Sequence, residues 1–405
     1  MDFIEMARTI SQNGGRLYFV GGYVRDKLMG IESHDIDFCI TGMTENKFMS
    51  LFPYAFKKGK FFPVFQIENY EFAFARSETK VSPGHSGFIM STENISIEED
   101  LKRRDITINS IALDVLTNKF IDPFGGIKDI NNKIINATSP NFIEEPLRSY
   151  RVARFSTKIN NFSVSNSTLS QMQATKNELS TLSVERVYEE LRKALSYDIP
   201  SKFFYILKGA NILDVHFKEI FDLIDVVQPI VYHPEGDVFT HSMQVLDGVS
   251  KITSNPCTRF AALTHDLGKG ITPKDILPHH YDHDKNGIEI VKILCNKLRL
   301  PNEWKKLAIT ICSEHMKAGI FEKMSINSKV SFLERNYKYL KELEIIAQID
   351  SKNNNLHFYD LGKNLIETIN GKRIDLPNDY RAKQILHEKR IEFLKSDNQW
   401  SPIRN

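Results

Sequence analysis

Asp35 and Asp37 stand two residues apart in the run His34-Asp35-Ile36-Asp37-Phe38-Cys39-Ile40, whose polar and apolar residues alternate as in a half-buried β-strand. Residues i and i+2 of a strand face the same side, so the two carboxylates are expected to project together. Such a pair can hold two Mg²⁺ ions about 4 Å apart, the spacing used for in-line phosphoryl displacement. Mg²⁺ favours a few carboxylates plus substrate phosphates over a complete protein cage. Glu71, in Tyr70-Glu71-Phe72-Ala73-Phe74-Ala75, is the candidate third carboxylate from a neighbouring strand. An Asp-x-Asp alone is equally the exposed end of an ordinary strand. Here, however, Gly21-Gly22 follows the β-prone run Leu17-Tyr18-Phe19-Val20, and Arg25 comes soon after. Glycines let main-chain N–H groups approach a triphosphate, and Arg25 supplies a permanent cation.

Two further groups invite chemistry. Arg148, Arg151 and Arg154 recur every three residues in a helical pattern and cover one side of it. Seven of the 12 histidines fall between His233 and His315, and only two precede residue 200, so the two halves of the chain are expected to do different chemistry.

The elements that must position these residues differ along the chain. Residues 17–20, 34–40, 63–67, 70–75 and 111–121 read as strands, and Ser77–Ser96 as an exposed, mobile loop. Asp122-Pro123-Phe124-Gly125-Gly126 is a turn. From about residue 140 the spacing turns helical, over 145–158, 184–196, 201–214 and 217–227. After Tyr232-His233-Pro234 the chain reads as wholly helical, broken at Pro256, Pro273, Pro278 and Pro301. An α+β protein is expected, with a mixed α/β head over 1–140, helical neck and body over 141–230, a helical domain over 231–355 and a helical tail over 356–405. A chain of 405 residues is long for a single core. Its 41% hydrophobic and 26% charged content, and the lack of any bilayer-length apolar run, point to a soluble protein. Met1–Ile10 lacks the uninterrupted apolar core of a signal peptide. With Cys39, Cys257, Cys295 and Cys312 scattered, the cysteines read as reduced thiols and the location as cytoplasmic. A net charge of +2 neither demands nor excludes a nucleic-acid partner.

Gly21-Gly22-Tyr23-Val24-Arg25-Asp26 followed by Asp35-Ile36-Asp37 resembles the head of bacterial-type (class II) tRNA nucleotidyltransferases and poly(A) polymerases. The ordered matches continue through Arg103–Asn109, Asp122–Gly126, Glu145-Pro146-Leu147-Arg148 with the rest of that helix to Phe155, and Glu185-Arg186-Val187. The resemblance implies a polymerase β-like head that adds CCA to tRNA from CTP and ATP. Asp35 and Asp37 would bind catalytic Mg²⁺, with Glu71 beside them. Gly22, Arg25 and Arg104 would hold the incoming nucleotide, and Asp105 and Asn109 would order its sugar. An acid and an arginine on the neck helix would read the base in place of a template. Here these are Glu145, where aspartate is usual, and Arg148; Arg151 and Arg154 would meet phosphates. A carboxylate accepts from the exocyclic amine of cytosine or adenine and a guanidinium donates to the ring, whereas guanine and uracil present the wrong groups.

His265-Asp266, in Ala-Ala-Leu-Thr-His-Asp-Leu-Gly-Lys-Gly, resembles the metal-binding heart of HD-type phosphohydrolases. His241 and Asp350 fit the upstream histidine and distal aspartate that such sites need. His279, His280, His283 and His315 would line the phosphate pocket or complete a second metal position. Imidazole and carboxylate together suit Ni²⁺, Mn²⁺, Co²⁺ or Mg²⁺ rather than structural zinc. In CCA-adding relatives with this domain it implies phosphatase, 2′-nucleotidase and 2′,3′-cyclic phosphodiesterase activity. Met316 stands where those relatives often show an aspartate.

Poly(A) polymerase is the alternative within the enzyme class, and the HD cluster and the 77–96 loop, similar to the mobile loop of CCA-adding enzymes, weigh against it. A non-catalytic tRNA-binding or signalling protein is opposed by the intact Asp35, Asp37 and Arg104, and a tRNA-end phosphohydrolase whose head only grips tRNA is a further alternative. The partners expected are tRNA, CTP and ATP, with no membrane, for a monomer or homodimer.

Overall fold

In the computed structural model, which describes residues 2–33, 35–58, 64–80, 88–371 and 381–396, the alternation along Asp37-Phe38-Cys39-Ile40-Thr41 sets the two faces of the central sheet. The chain divides into two units, Met1–Ala194 with Lys202–Val215 and Leu195–Ser201 with His216–Asn405.

The first unit is built on β1 (Arg16–Val20), β2 (Asp37–Thr41), β3 (Phe56–Lys58), β4 (Val64–Ile67) and β5 (Tyr70–Phe74), with a hairpin of β6 (Ser77–Lys80) and β7 (Phe88–Ser91), then β8 (Ala112–Asp114) and β9 (Phe120–Ile121). The main sheet runs β3-β4-β5-β2-β1-β8-β9. One face receives Phe38, Ile40, Phe72 and Phe74 and is covered by α1 (Phe3–Gln12) and, through Phe48, by α3 (Glu45–Leu51), which flank α2 (Gly22–Leu28) in sequence. Phe38 and Phe72 stack at 4.6 Å and are buried, so truncating either would cost about 3–5 kcal/mol. The other face carries Tyr18, Val20, Cys39 and Ala112 against Ile97 and Leu101 of α4 (Ile97–Lys102). By alternation Asp37 belongs to this second face. So does Glu71, which sits directly across from it in the parallel β2–β5 register.

Asp35 is not on the strand. β2 begins at Asp37, paired with Val20, the last residue of β1. Gly21 has φ +69° and turns the chain away into α2, so no β1 residue is left to pair with Asp35. His34 lies outside the described residues. The 77–96 stretch also differs from the expected loop. Glu78 faces Met90 and Thr79 faces Ile89 in an antiparallel ladder, while Ser96 caps α4 in a reciprocal capping box with Glu99. The β-branched pair Thr79 and Ile89, facing each other across the arms, favours that ladder. Residues 81–87, including the Gly84–Gly87 part of the loop match, lie outside the described residues.

The neck helix α5 (Leu147–Lys158) packs on α6 (Val184–Ala194). Helices span Ser201–Gly209 and Leu213–Phe221, and the helix expected over 217–227 stops at Phe221. Beyond it, Val226 accepts from the Val238 N–H and Val227 bridges Asp237, so this backbone pairs sideways rather than within a helix.

The second unit is helical. Five helices carry its site: α7 (Val238–Ser250), α8 (Pro256–Leu263), α9 (His283–Lys297), α10 (Asn302–Gly319) and α11 (Leu340–Asp350). Pro256 opens α8 and Pro301 caps α10, the positions where a missing N–H costs nothing. A Cβ on Gly268 would sit 2.0 Å from the His283 carbonyl oxygen, so only glycine lets the turn after His265-Asp266 reach the start of α9. The described residues after 356 pack into this unit, with Phe358 against Phe321 and Phe332. No helix among the described residues is long and apolar enough to cross a membrane.

Candidate active sites

A cavity of about 470 Å³ in the first unit is lined by Gly21, Gly22, Arg25, Asp35, Asp37 and Arg104 from the sheet side. Asp105, Asn109, Glu145, Arg148 and Arg151 line it as well. Residues spread over more than a hundred positions thus meet at one opening. Burial pushes the Asp37 carboxyl up to about 6, repulsion from Asp35 and Glu71 adds to that, and Arg104 partly opposes it. Glu71 is exposed on the neighbouring strand, near enough to repel Asp37, but outside the cavity lining.

The cations are held before any ligand arrives. Arg25 is buried, donating to Asp26 at 2.8 Å and to Asn109 Oδ1 at 2.6 Å. Arg104 donates to Asp100 at 3.0 Å, and the same buried carboxylate takes two N–H groups of Arg103. Burial would raise the Asp100 pKa, but Arg104 and Arg103 outweigh it and hold the group below the usual carboxylate range. Asp105 likewise is held low despite its burial, chiefly by Arg151 at 2.8 Å, and accepts from Asn109 at 3.5 Å.

Arg148 donates to the carbonyls of Asn141 and Arg103, both at 2.6 Å, which spends two of its five N–H groups on the backbone. Glu145 lies 3.6 Å from Arg186. Arg154 departs from the expected cluster. It donates to Glu190 on α6, packs over Phe155 and does not line the cavity, because the helix turns it toward α6.

Sequence reasoning missed Asp100, Arg76, Glu78 and Lys158. Asp100 was findable, lying three and four residues before Arg103 and Arg104 on α4. Glu78, which pairs with both Arg76 and Arg103, depends on the hairpin and had no local signal.

In the second unit four imidazoles share one arrangement. His265 Nδ1 donates to the Ala262 carbonyl at 2.7 Å, His283 Nδ1 to His280 at 2.8 Å, and His315 Nδ1 to Cys312 at 2.9 Å. His241 Nδ1 donates to Glu235 at 2.7 Å. Each Nε2 is thereby left as the inward donor atom, the tautomer that a metal requires. His241 Nε2 lies 2.9 Å from Asp350, and His265 Nε2 3.2 Å from Asp266. His283 and His315 approach the other Asp266 oxygen at 3.3 and 3.5 Å. His241, His265 and Asp350 form one donor triad, and Asp266, His283 and His315 a second. Burial alone would lower the His265 pKa, but Asp266 and Asp350 raise it to about 10.

His280 is committed elsewhere. It donates from Nε2 to the Val227 carbonyl at 3.0 Å and accepts from Thr272 at 2.7 Å, and burial holds its pKa below the usual value. His279 and Met316 sit with it around a cavity of about 290 Å³ over the cluster. Sequence reasoning missed Glu235 and assigned no role to Lys269, which contacts Asp266 at 2.7 Å and Gln228 at 2.8 Å.

Three family models match the chain: the poly A polymerase head domain over 17–136, the probable RNA- and SrmB-binding site of polymerase A over 161–224, and the HD domain over 238–354. The multifunctional CCA protein of Mannheimia succiniciproducens is 42% identical over 311 residues, covering 74% of this chain and 73% of the relative. That of Vibrio parahaemolyticus is 39% identical over 347 residues, covering 83% and 85%. Among solved structures, the apo form II of a CCA-adding enzyme matches with TM-score 0.71 and 16% identity over 100% of this chain and 92% of that one, which speaks for the fold alone. With a polymerase-type head and an HD domain in one chain, and relatives about 40% identical over roughly three quarters or more of it, the chain belongs to the multifunctional CCA protein family.

Proposed function

We propose that the first unit adds and repairs the 3′-terminal CCA of tRNA from CTP and ATP without a nucleic-acid template, and that the HD unit hydrolyses phosphate esters such as 2′-phosphates and 2′,3′-cyclic phosphates. The four segments 1–140, 141–230, 231–355 and 356–405 would serve as head, neck and body, hydrolase and tail. The observation that carries the reading is the single cavity joining Asp35 and Asp37 to Arg104, Glu145 and Arg148.

Two crowded carboxylates, one with its pKa pushed up to about 6, make a donor set that fits Mg²⁺. Bound by Asp35 and Asp37, Mg²⁺ would activate the tRNA 3′-hydroxyl and neutralise charge at the α-phosphate. The protein's own part is positioning. Gly22 opens α2 and offers main-chain N–H groups to the triphosphate, with Arg104 as the adjacent cation. Arg25, locked by Asp26 and Asn109, presents a fixed positive edge, and Asp105 and Asn109 order the sugar side. Glu145 accepts from the exocyclic amine of cytosine or adenine, and the remaining N–H groups of Arg148 donate to the ring. Guanine or uracil would leave a buried group unpaired, at about 1–3 kcal/mol each. Arg151 is the phosphate contact on α5, whereas Arg154 acts through Glu190 to fix the helix pair.

In the HD unit, His265 Nε2 and Asp266 Oδ1 are buried and find no hydrogen-bond partner of ordinary geometry among the described residues. His283 and His315 face each other through Nε2 at 3.4 Å. Both features fit a divalent metal, and the donor set suits Ni²⁺, Mn²⁺, Co²⁺ or Mg²⁺. Bound there, the metal would supply Lewis acidity and lower the pKa of water. His241, His265, Asp266 and Asp350 would hold it, and His283 and His315 would complete a second position through Asp266. Lys269, itself buried, neutralises charge on Asp266.

The decisive experiment incubates tRNA lacking CCA with labelled CTP and ATP, singly and together. Addition of three residues in the order C, C, A is expected; a long A tail, or ready incorporation of U or G, overturns the reading. For the HD unit, a divalent-metal screen on a 2′,3′-cyclic nucleotide should show turnover that His265→Ala abolishes.

A further inference from the structure

We propose that Tyr281, backed by His279, is a nucleobase platform at the mouth of the HD pocket, stacking the base of the nucleotide whose phosphate lies over the Asp266 cluster. This rests on the hydrolase reading above.

The segment His279-His280-Tyr281-Asp282-His283 divides its side chains by task. His283 points Nε2 at Asp266, and its Nδ1 is used by the His280 carbonyl. His280 is pinned at both ring nitrogens, by Val227 and Thr272. Asp282 has φ +52°, turning the chain into α9, and pairs with Lys285. His279 and Tyr281 are left on either side of the pinned residue, their rings stacked 5.9 Å apart at 24°. Both line the 290 Å³ cavity.

Burial grades this cavity from an ionic floor to an apolar mouth. Asp266 and His315 are 1% and 2% exposed, whereas Tyr281 is 70% and Met316 49% exposed. At such exposure the Tyr281 ring buries little apolar surface for the fold. Pro229 and Pro278 extend the apolar rim. A ligand complementary to this gradient carries a phosphate at one end and a flat aromatic group at the other, with a sugar between. A nucleotide bearing a 2′- or 2′,3′-cyclic phosphate has that form. Stacking uses the face of a base rather than its edge, so the platform accepts adenine and cytosine alike, purines more strongly.

The test uses the full chain with its best-supporting divalent metal and two substrates, 2′,3′-cyclic AMP and 1-O-methylribose 2′,3′-cyclic phosphate, which lacks the base. The wild type is expected to favour the nucleotide by about 10-fold in kcat/KM, mostly through KM. Tyr281→Ala should bring that ratio near one, and Tyr281→Phe should keep it. Reading the ratio separates a platform from general damage to the metal site, which would lower both substrates together. Equal wild-type turnover of the two substrates, or a ratio unchanged in Tyr281→Ala, overturns the platform alone. A wild type that hydrolyses neither overturns the hydrolase reading and the platform with it.

Discussion

Arg148 donates across 2.6 Å to the main-chain carbonyl of Arg103, tying the helix proposed to read the base to the segment that carries Arg104. The arginine proposed to read the base and the cation proposed for the triphosphate are therefore spaced by a hydrogen bond rather than by chain length. Lysine cannot reproduce the fork that reaches both Asn141 and Arg103. Arg148→Lys should lower stability by about 1 kcal/mol and erode the preference for C and A over G and U by roughly 10-fold. Competition assays with all four nucleotides would measure this; unchanged selectivity would remove Arg148 from base reading.

Gly21 combines φ +69° with close neighbours. An added Cβ would lie 3.4 Å from Arg104 Nη1 and 3.6 Å from Asp37 Oδ2. At φ +69° and ψ −135°, backbone that only glycine adopts readily, Gly21→Ala should strain the turn by about 1–3 kcal/mol and set a methyl in contact with Arg104 and Asp37. A rise in KM for CTP and ATP larger than the fall in kcat is the expected kinetic signature.

Asp37 gives a pH dependence with a definite sign. Its pKa in the folded chain, about 6, exceeds the ordinary 3.8, because burial and then Asp35 disfavour the charge. The folded state thus holds this proton more tightly than the unfolded state does. The contribution favours folding at low pH and is lost as pH rises through 4 to 6. Asp37→Asn should raise the melting temperature of the metal-free protein at pH 8, by the equivalent of about 1–3 kcal/mol, while abolishing nucleotide addition. Thermal scans at pH 5 and pH 8 would test it, the gain at pH 8 being expected to be about twice that at pH 5.

Glu235 accepts from His241 Nδ1 at 2.7 Å and so sets which nitrogen faces the cluster. Glu235→Ala should weaken divalent-metal binding by about 10- to 100-fold without removing a donor atom. Metal titration by calorimetry would show it, with Glu235→Gln retaining most of the affinity through its amide oxygen.

Much of this was legible because local chemistry is written in local sequence. Alternation placed β2 and β5, glycine after a β-prone run marked the turn into α2, and His265-Asp266-Leu267-Gly268-Lys269 marked the histidine and aspartate cluster. Gly268 carries its own reason, since only a hydrogen side chain clears the His283 carbonyl. What could not be read depended on pairings between distant segments. Asp35 fell off the strand because β1 ends at Val20, and the 77–80 and 88–91 segments formed a ladder that neither specifies alone.

The sequence by itself determined which groups are present: two aspartates, a run of arginines on one helix, and histidines gathered in one half. Only the tertiary structure decided how each is spent. It gave Arg151 to Asp105 but Arg154 to Glu190, and it turned His283 inward while pinning His280 outside. The physical reason is that charge and hydrogen-bonding capacity belong to the residue, whereas the partner that satisfies them is chosen by packing across the fold.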